Sequence, residues 1–181
     1  MADKTSEPEV GVKAGRDFYT EIAPETEVRH FDTMWHTIGI GHLAKTDLNR
    51  LARRHGLSSA DLLLLGALRV SGPQPLRATD LALKLHVTNA SLSARVARLA
   101  GQNLLTRTHN ANDRRSYEIT LTPAGADKAD AAILEISQTG QFARAFLRLP
   151  EEDRETVTRI LGDLHDLMDR DFLPVRRGGQ G

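Results

Sequence analysis

The 181-residue chain has no cysteine. That excludes a disulfide framework, a thiolate metal site and a thiol-based redox sensor. Aromatic residues are scarce at 4%, against 40% hydrophobic residues in all, so any core must be largely aliphatic. No apolar run approaches the ~20 residues needed to cross a bilayer, and the opening Met1-Ala2-Asp3-Lys4-Thr5-Ser6-Glu7 lacks the apolar stretch of a signal peptide. There is no phosphate loop, zinc-ligand spacing or nucleophile elbow, so no cofactor and no metal is expected. His165 with Asp169, and Asp166 with Arg170, lie one helical turn apart, but both pairs fall on a segment better explained as a subunit surface. No enzymatic activity is expected. These absences predict a soluble, cytoplasmic protein without a membrane partner.

The chain also lacks any net charge, yet its charges are unevenly placed. Residues 1–49 hold 5 Lys/Arg against 9 Asp/Glu; residues 50–120 hold 11 against 4; residues 121–181 hold 8 against 11. A basic centre between acidic flanks is the distribution of a nucleic-acid reader carried on non-binding elements. Because salt screens distant charges, the local excess matters more than the neutral total.

The clearest pattern lies inside that basic segment. Leu104-Leu105-Thr106-Arg107-Thr108 predicts one strand. Ser116 to Leu121 predicts another, with Tyr117, Ile119 and Leu121 alternating with polar residues. The turn-rich His109-Asn110-Ala111-Asn112-Asp113 joins them, which places Asp113-Arg114-Arg115 near the tip of a hairpin. The plainer reading of such a tip is a solvated turn; what precedes it favours another. Apolar spacing predicts a helix from Val28 to His55, with Phe31, Met34, Trp35, Ile38, Leu43, Leu48 and Leu51 on its apolar positions, a bend near Gly39 and Gly41, and a stop at Gly56. Ser58 or Ser59 caps a largely buried helix through Leu62 to Leu68. A short helix near Thr79–Leu85, the tight connection His86-Val87-Thr88-Asn89 and a helix over about Ala90–Gln102 follow. In the last of these Leu92, Val96 and Leu99 face inward and Ser91, Ser93, Arg95 and Arg98 face outward, with Asn103 suited to a left-handed cap.

Thr122 and Pro123 open a further helix running to about Leu147 and weakened at Gly140. Pro150-Glu151-Glu152-Asp153 opens a last one, whose Val157, Ile160, Leu161, Leu164, Leu167 and Met168 form an apolar stripe. Residues 1–27 are expected to be a flexible extension with a short helix near Phe18-Tyr19, and 173–181 a flexible tail.

Helix, short helix, tight turn, polar-faced helix and arginine-tipped hairpin describe a winged helix-turn-helix. The fold class is therefore mainly α (α+β), with the DNA-binding lobe at 57–122 and a helical dimerisation region at 28–56 and 123–172. In such a motif the second helix enters the major groove. Thr88, Asn89, Ser91, Ser93, Arg95 and Arg98 are assigned to that surface, because Arg can read guanine in bidentate fashion and short hydroxyls suit phosphates or base edges. The alternatives are a merely solvated face for the serines and pairing with Asp80 or Glu118 for the arginines. Arg107, Arg114 and Arg115 join the surface from the hairpin, where Arg115 or Arg114 would enter the minor groove. Asp113 would brace an arginine through a charge-assisted hydrogen bond.

Asp113-x-Arg115 followed by Leu121-Thr122-x-x-Gly125 resembles the wing of the multiple-antibiotic-resistance regulator (MarR) family. The likeness extends back through Ala94-Arg95-Val96-Ala97-Arg98-Leu99, Asn103-Leu104-Leu105-Thr106-Arg107 and Leu57-Ser58-Ser59-Ala60, and covers roughly residues 30–172. It implies a homodimer with first and last helices interleaved. It further implies repression at pseudo-palindromic double-stranded DNA sites and release by a small, often aromatic or phenolic ligand held between the dimer helices and the DNA-binding lobe. The residues placed at such a pocket are Trp35, His36, Ile38 and His42, with Asp61 and Leu65 opposite. The chain departs from the family in having Asn103 where glycine is usual and no cysteine for peroxide sensing. Of the urate-responsive branch's residues, Trp35, Arg95 and Arg107 have counterparts, but Leu63 stands at the aspartate's place and Asp61 two residues earlier. A constitutive repressor without a ligand, or a degenerate member that binds a protein, are the alternatives.

Overall fold

The computed structural model describes residues 7–24, 28, 30–110 and 113–172; at 7–8, 109–110, 113–116 and 171–172 the description is of the backbone alone. The expected tail at 173–181 lies outside these residues. Two compact units divide the chain, Met1–Asp47 and Leu48–Gly181.

The first unit holds α1 (Glu7–Ile22) and the beginning of α2 (His30–Arg54). Where the sequence predicts an extension with only a short helix near Phe18-Tyr19, α1 is a 16-residue helix. The cause is Phe31, whose ring is buried against it. A Cβ at Gly15 would stand 2.4 Å from the ring's Cζ, so only glycine admits it. Val12 is buried as well; the Tyr19 ring lies 5.0 Å from that of Phe31, and Arg16 donates to Asp32 at 2.8 Å. Positions 12, 15, 16 and 19 recur at helical spacing, so one face of α1 carries these contacts. The helix α2 continues unbroken through Gly39 and Gly41.

The second unit carries the main core. Gly56, with φ +69°, ends α2 in the left-handed conformation that glycine adopts without steric cost. Ser58 then starts α3 (Ser59–Val70) with a reciprocal capping box: its hydroxyl accepts from the Asp61 amide, and the Asp61 carboxylate accepts from the Ser58 amide. From α3, Leu62, Leu64, Leu65 and Leu68 enter the core, while Leu63 and Val70 stay exposed. A two-residue strand that the sequence did not suggest, β1 (Leu76–Arg77), precedes α4 (Ala78–Lys84) and α5 (Asn89–Gly101). The hairpin is β2 (Leu105–Asn110) and β3 (Asp113–Leu121). The sheet order is β1-β3-β2, antiparallel throughout, with Leu76 opposite Ile119 and Leu105 opposite Leu121. Leu81, Leu92, Val96, Leu99, Leu105 and Ile119 close the core from α4, α5 and the sheet.

The expected long helix after the hairpin is two helices, α6 (Pro123–Thr139) and α7 (Gln141–Phe146), parted at Gly140, whose extended backbone (ψ 135°) interrupts the helical path. On α6, Ala129 and Ala132 pack into the core, and Arg69 of α3 clasps Asp130 through two bonds of 2.7 and 2.9 Å. The last helix is α8 (Glu151–Phe172). Its predicted stripe of Val157, Ile160, Leu161, Leu164, Leu167 and Met168 lies exposed in the single chain. Among the described residues no helix is long and apolar enough to cross a membrane.

Candidate nucleic-acid interface

The turn between α4 and α5 sets the direction of α5. His86 takes φ +51°, unusual for a residue with a Cβ, and its amide bonds to the Leu83 carbonyl at 3.0 Å. The Val87 amide reaches back to the Ala82 carbonyl at 3.0 Å. Thr88 is the N-cap, its hydroxyl accepting from the Ser91 amide at 3.2 Å; Ala in its place would cost about 1 kcal/mol. Leu92, Val96 and Leu99, spaced by four and three, are fully buried. That pins one face of α5 and turns the other outward.

On that outward side Asn89 is exposed at the first helical position, and Ser91, Ser93 and Arg95 are half-buried. Arg98 is also exposed, but its guanidinium donates to the Asp61 carboxylate of α3. This is the intramolecular pairing considered for the arginine, with Asp61 as partner in place of Asp80 or Glu118. Asp61 is buried at 1% exposure and also accepts from the Ser58 amide at 3.0 Å and the Ser58 hydroxyl at 2.6 Å. Burial pushes its carboxyl up, but the bonds from Arg98 and Ser58 and the Arg98 charge outweigh that and hold it below the ordinary carboxylate range. The same bond raises Arg98 above the usual guanidinium value.

Asp61 and Leu65, placed by the sequence at a ligand pocket, therefore look inward instead. Asp61 has its carboxylate filled by Arg98 and Ser58, and Leu65 is a core side chain at 0% exposure. The other four expected there, Trp35, His36, Ile38 and His42, lie on the first unit's part of α2, all exposed, with Trp35 stacked on Phe31 at 6.0 Å. Within the second unit, Leu62, Leu63, Ala67, Leu85 and Ile133 line an open apolar hollow of about 380 Å³, with Lys84 as the charged group in its lining.

A polar chain joins α5 to the hairpin. The Ser93 hydroxyl shares a 3.2 Å bond with the Tyr117 hydroxyl of β3. The Arg107 guanidinium of β2 lies 4.4 Å over the Tyr117 ring, a cation–π contact between diagonal neighbours on one face of the hairpin. The sequence marked Ser93 and Arg107 singly but not Tyr117, which couples them; the signal was an aromatic with a polar tip in an alternating strand. Asp113, Arg114 and Arg115 are in β3, where the register shifts between His109 and Asn110; the disposition of their side chains lies outside the described residues, as do Ala111 and Asn112.

The root of the hairpin explains the Leu121-Thr122-x-x-Gly125 pattern. Thr122 caps α6, its hydroxyl accepting from the Gly125 amide at 3.0 Å and donating to the Asn103 carbonyl at 2.7 Å. Its amide bonds to the Leu104 carbonyl at 3.2 Å. A Cβ on Gly125 would fall 1.8 Å from that same carbonyl oxygen. Asn103, with φ +57°, makes the turn that the family usually gives to glycine, as asparagine tolerates.

Residues 55–116 match the MarR family. Over 128 residues the chain is 27% identical to the HTH-type transcriptional repressor MdtR of Bacillus subtilis (strain 168), covering 71% of this chain and 80% of that protein. A cysteine-to-serine variant of MarR from E. coli, crystallised with operator DNA, superposes with a TM-score of 0.63 at 20% identity, covering 82% of this chain and 98% of the other. A MepR-like protein complexed with pseudoligands gives 0.56 at 28% identity, over 77% and 96%. With its capped α5, its hairpin wing and the threonine–glycine clamp at the wing's root, the chain has the winged helix-turn-helix fold of these structures, and its residues 55–116 are similar to the MarR family.

Proposed function

We propose that the protein is a cytoplasmic homodimeric repressor that holds a pseudo-palindromic operator and releases it when a small aromatic or phenolic ligand binds. The observation that carries the DNA-binding part is α5: its apolar face is locked into the core while Asn89, Ser91 and Arg95 remain on the outer side, beside a wing coupled to it through Ser93, Tyr117 and Arg107. Arg95 and Asn89 are suited to base edges, Thr88 and Ser91 to phosphates. Arg98 acts with Asp61 as a strut and offers DNA only its remaining donors. Arg107, Arg114 and Arg115, with Asp113 as brace, supply the wing's contribution. A repressor name on the Bacillus relative and operator DNA in the E. coli structure agree with this reading.

Dimerisation rests on the exposed stripe of α8 and on Met34, Ile38 and Leu43 of α2, because apolar faces of this extent mark association surfaces. For the ligand, the apolar hollow with Lys84 in its lining suits an aromatic carboxylate, and a related structure holds pseudoligands; Trp35, His36, Ile38 and His42 are separate candidates within the first unit. The test is fluorescence anisotropy with DNA from upstream of the gene, repeated over a range of salt. Binding that weakens steeply with salt, and by about 1–3 kcal/mol in Arg95→Ala, is expected. A salt-independent affinity would refute it. Phenolic carboxylates added to the complex should lower the anisotropy; failure across a broad set leaves a constitutive repressor.

A further inference from the structure

His86, His165 and Asp169 bring their donor atoms within 4.8 Å of one another, although the two histidines lie far apart in the chain. His86 sits in the turn between α4 and α5, and its unusual φ of +51° directs the backbone there. His165 and Asp169 are four residues apart on α8, hence on one helical face. The two imidazoles lie 5.7 Å apart between centroids. His86 Nδ1 stands 3.5 Å from Asp169 Oδ1, too far for a strong hydrogen bond. That oxygen is shielded from solvent and has no hydrogen-bond partner among the described residues, which is a costly state for a carboxylate oxygen.

We propose that these three residues form a binding site for a divalent first-row transition metal, of which Zn²⁺ is the best fit. Two imidazoles and one carboxylate are a borderline donor set that favours such ions over Mg²⁺ or Ca²⁺. Ligands at ~2.0–2.2 Å around a tetrahedral ion stand roughly 3.4 Å from one another. The His86–Asp169 pair already has that spacing, and modest side-chain rotation closes the third. The ion would give Asp169 Oδ1 the partner it lacks. Asp166 lines the same hollow and is placed to supply a fourth ligand or to hold a bound water. Lys84 also lines it, with its ammonium drawn toward the Ser71 hydroxyl at 3.1 Å. The sequence predicted no metal because its only local cue is the His165–Asp169 spacing, and the third ligand arrives through the fold. A bound ion would fasten α8 to the turn that precedes the recognition helix.

The test uses the full-length, tag-free protein and Zn²⁺ alone, titrated against a chromophoric chelator. One ion per chain is expected. His165→Ala and Asp169→Asn, both on the surface of α8, should each weaken binding by at least ~10-fold with an unchanged circular dichroism spectrum. His30→Ala, at the start of α2, should bind as the parent does. No stoichiometric binding, binding that survives both α8 substitutions, or equal loss in His30→Ala would each overturn the proposal.

Discussion

Replacing Asp61 by Asn removes one charge from the interior while keeping the side chain's shape. Asp61 is 1% exposed and receives bonds from the Ser58 amide, the Ser58 hydroxyl and the Arg98 guanidinium. The capping interaction is worth about 1 kcal/mol. Removing one partner of a fully buried ion pair costs ~3–5 kcal/mol, but the Arg98 side chain is 47% exposed and can return to water, so the pair contributes nearer ~1–2 kcal/mol. Together these predict a loss of roughly 2–3 kcal/mol at neutral pH, read from urea unfolding followed by circular dichroism. The pH dependence gives a second check. The folded-state pKa of Asp61 is lowered, so its stabilisation is present above the unfolded value of about 3.9 and is lost as pH falls through the folded value. The gap between parent and Asp61→Asn should thus be full at pH 7 and shrink below about pH 4. A variant within ~0.5 kcal/mol of the parent, or a gap that ignores pH, would refute the strut.

Three further outcomes are expected. Gly125→Ala should lower Tm by roughly 10 °C or prevent folding, since the new methyl would meet the Leu104 carbonyl; a melting curve like the parent's would contradict that packing. Arg115→Ala should weaken operator binding by about 1–3 kcal/mol in anisotropy titrations while light scattering still reports a dimer, and unchanged affinity removes Arg115 from the DNA surface. Truncation before residue 150 deletes the α8 stripe and should leave no dimer by light scattering; a dimeric truncated chain would place the interface elsewhere.

Features governed by a few neighbouring residues were legible in the sequence. Gly56 and Asn103 do adopt left-handed backbone, and Ser58 and Thr122 do cap helices, because each depends on contacts within four residues. The apolar period of α5 predicted its buried face for the same reason. What escaped depends on partners distant in sequence. The N-terminal α1 is polar and acidic in composition, and what it packs against is Phe31, which fills the space above Gly15. β1 is too short to show a period and exists only through its pairing with β3. Asp61 reads in the sequence as a pocket carboxylate because its partner, Arg98, lies thirty-seven residues on. On the outer face of α5 the residue types were readable, but the pairing of Arg98 with Asp61 of α3 was not.

The clamp of Thr122 and Gly125 on the carbonyls of Asn103 and Leu104 ties the first strand of the wing to the chain leaving its second. Everything between is a closed loop hung from one rigid root, so length and composition at the far end can drift without disturbing the helices that root it. Selection can therefore vary the residues at the far end of the hairpin almost independently of selection for folding.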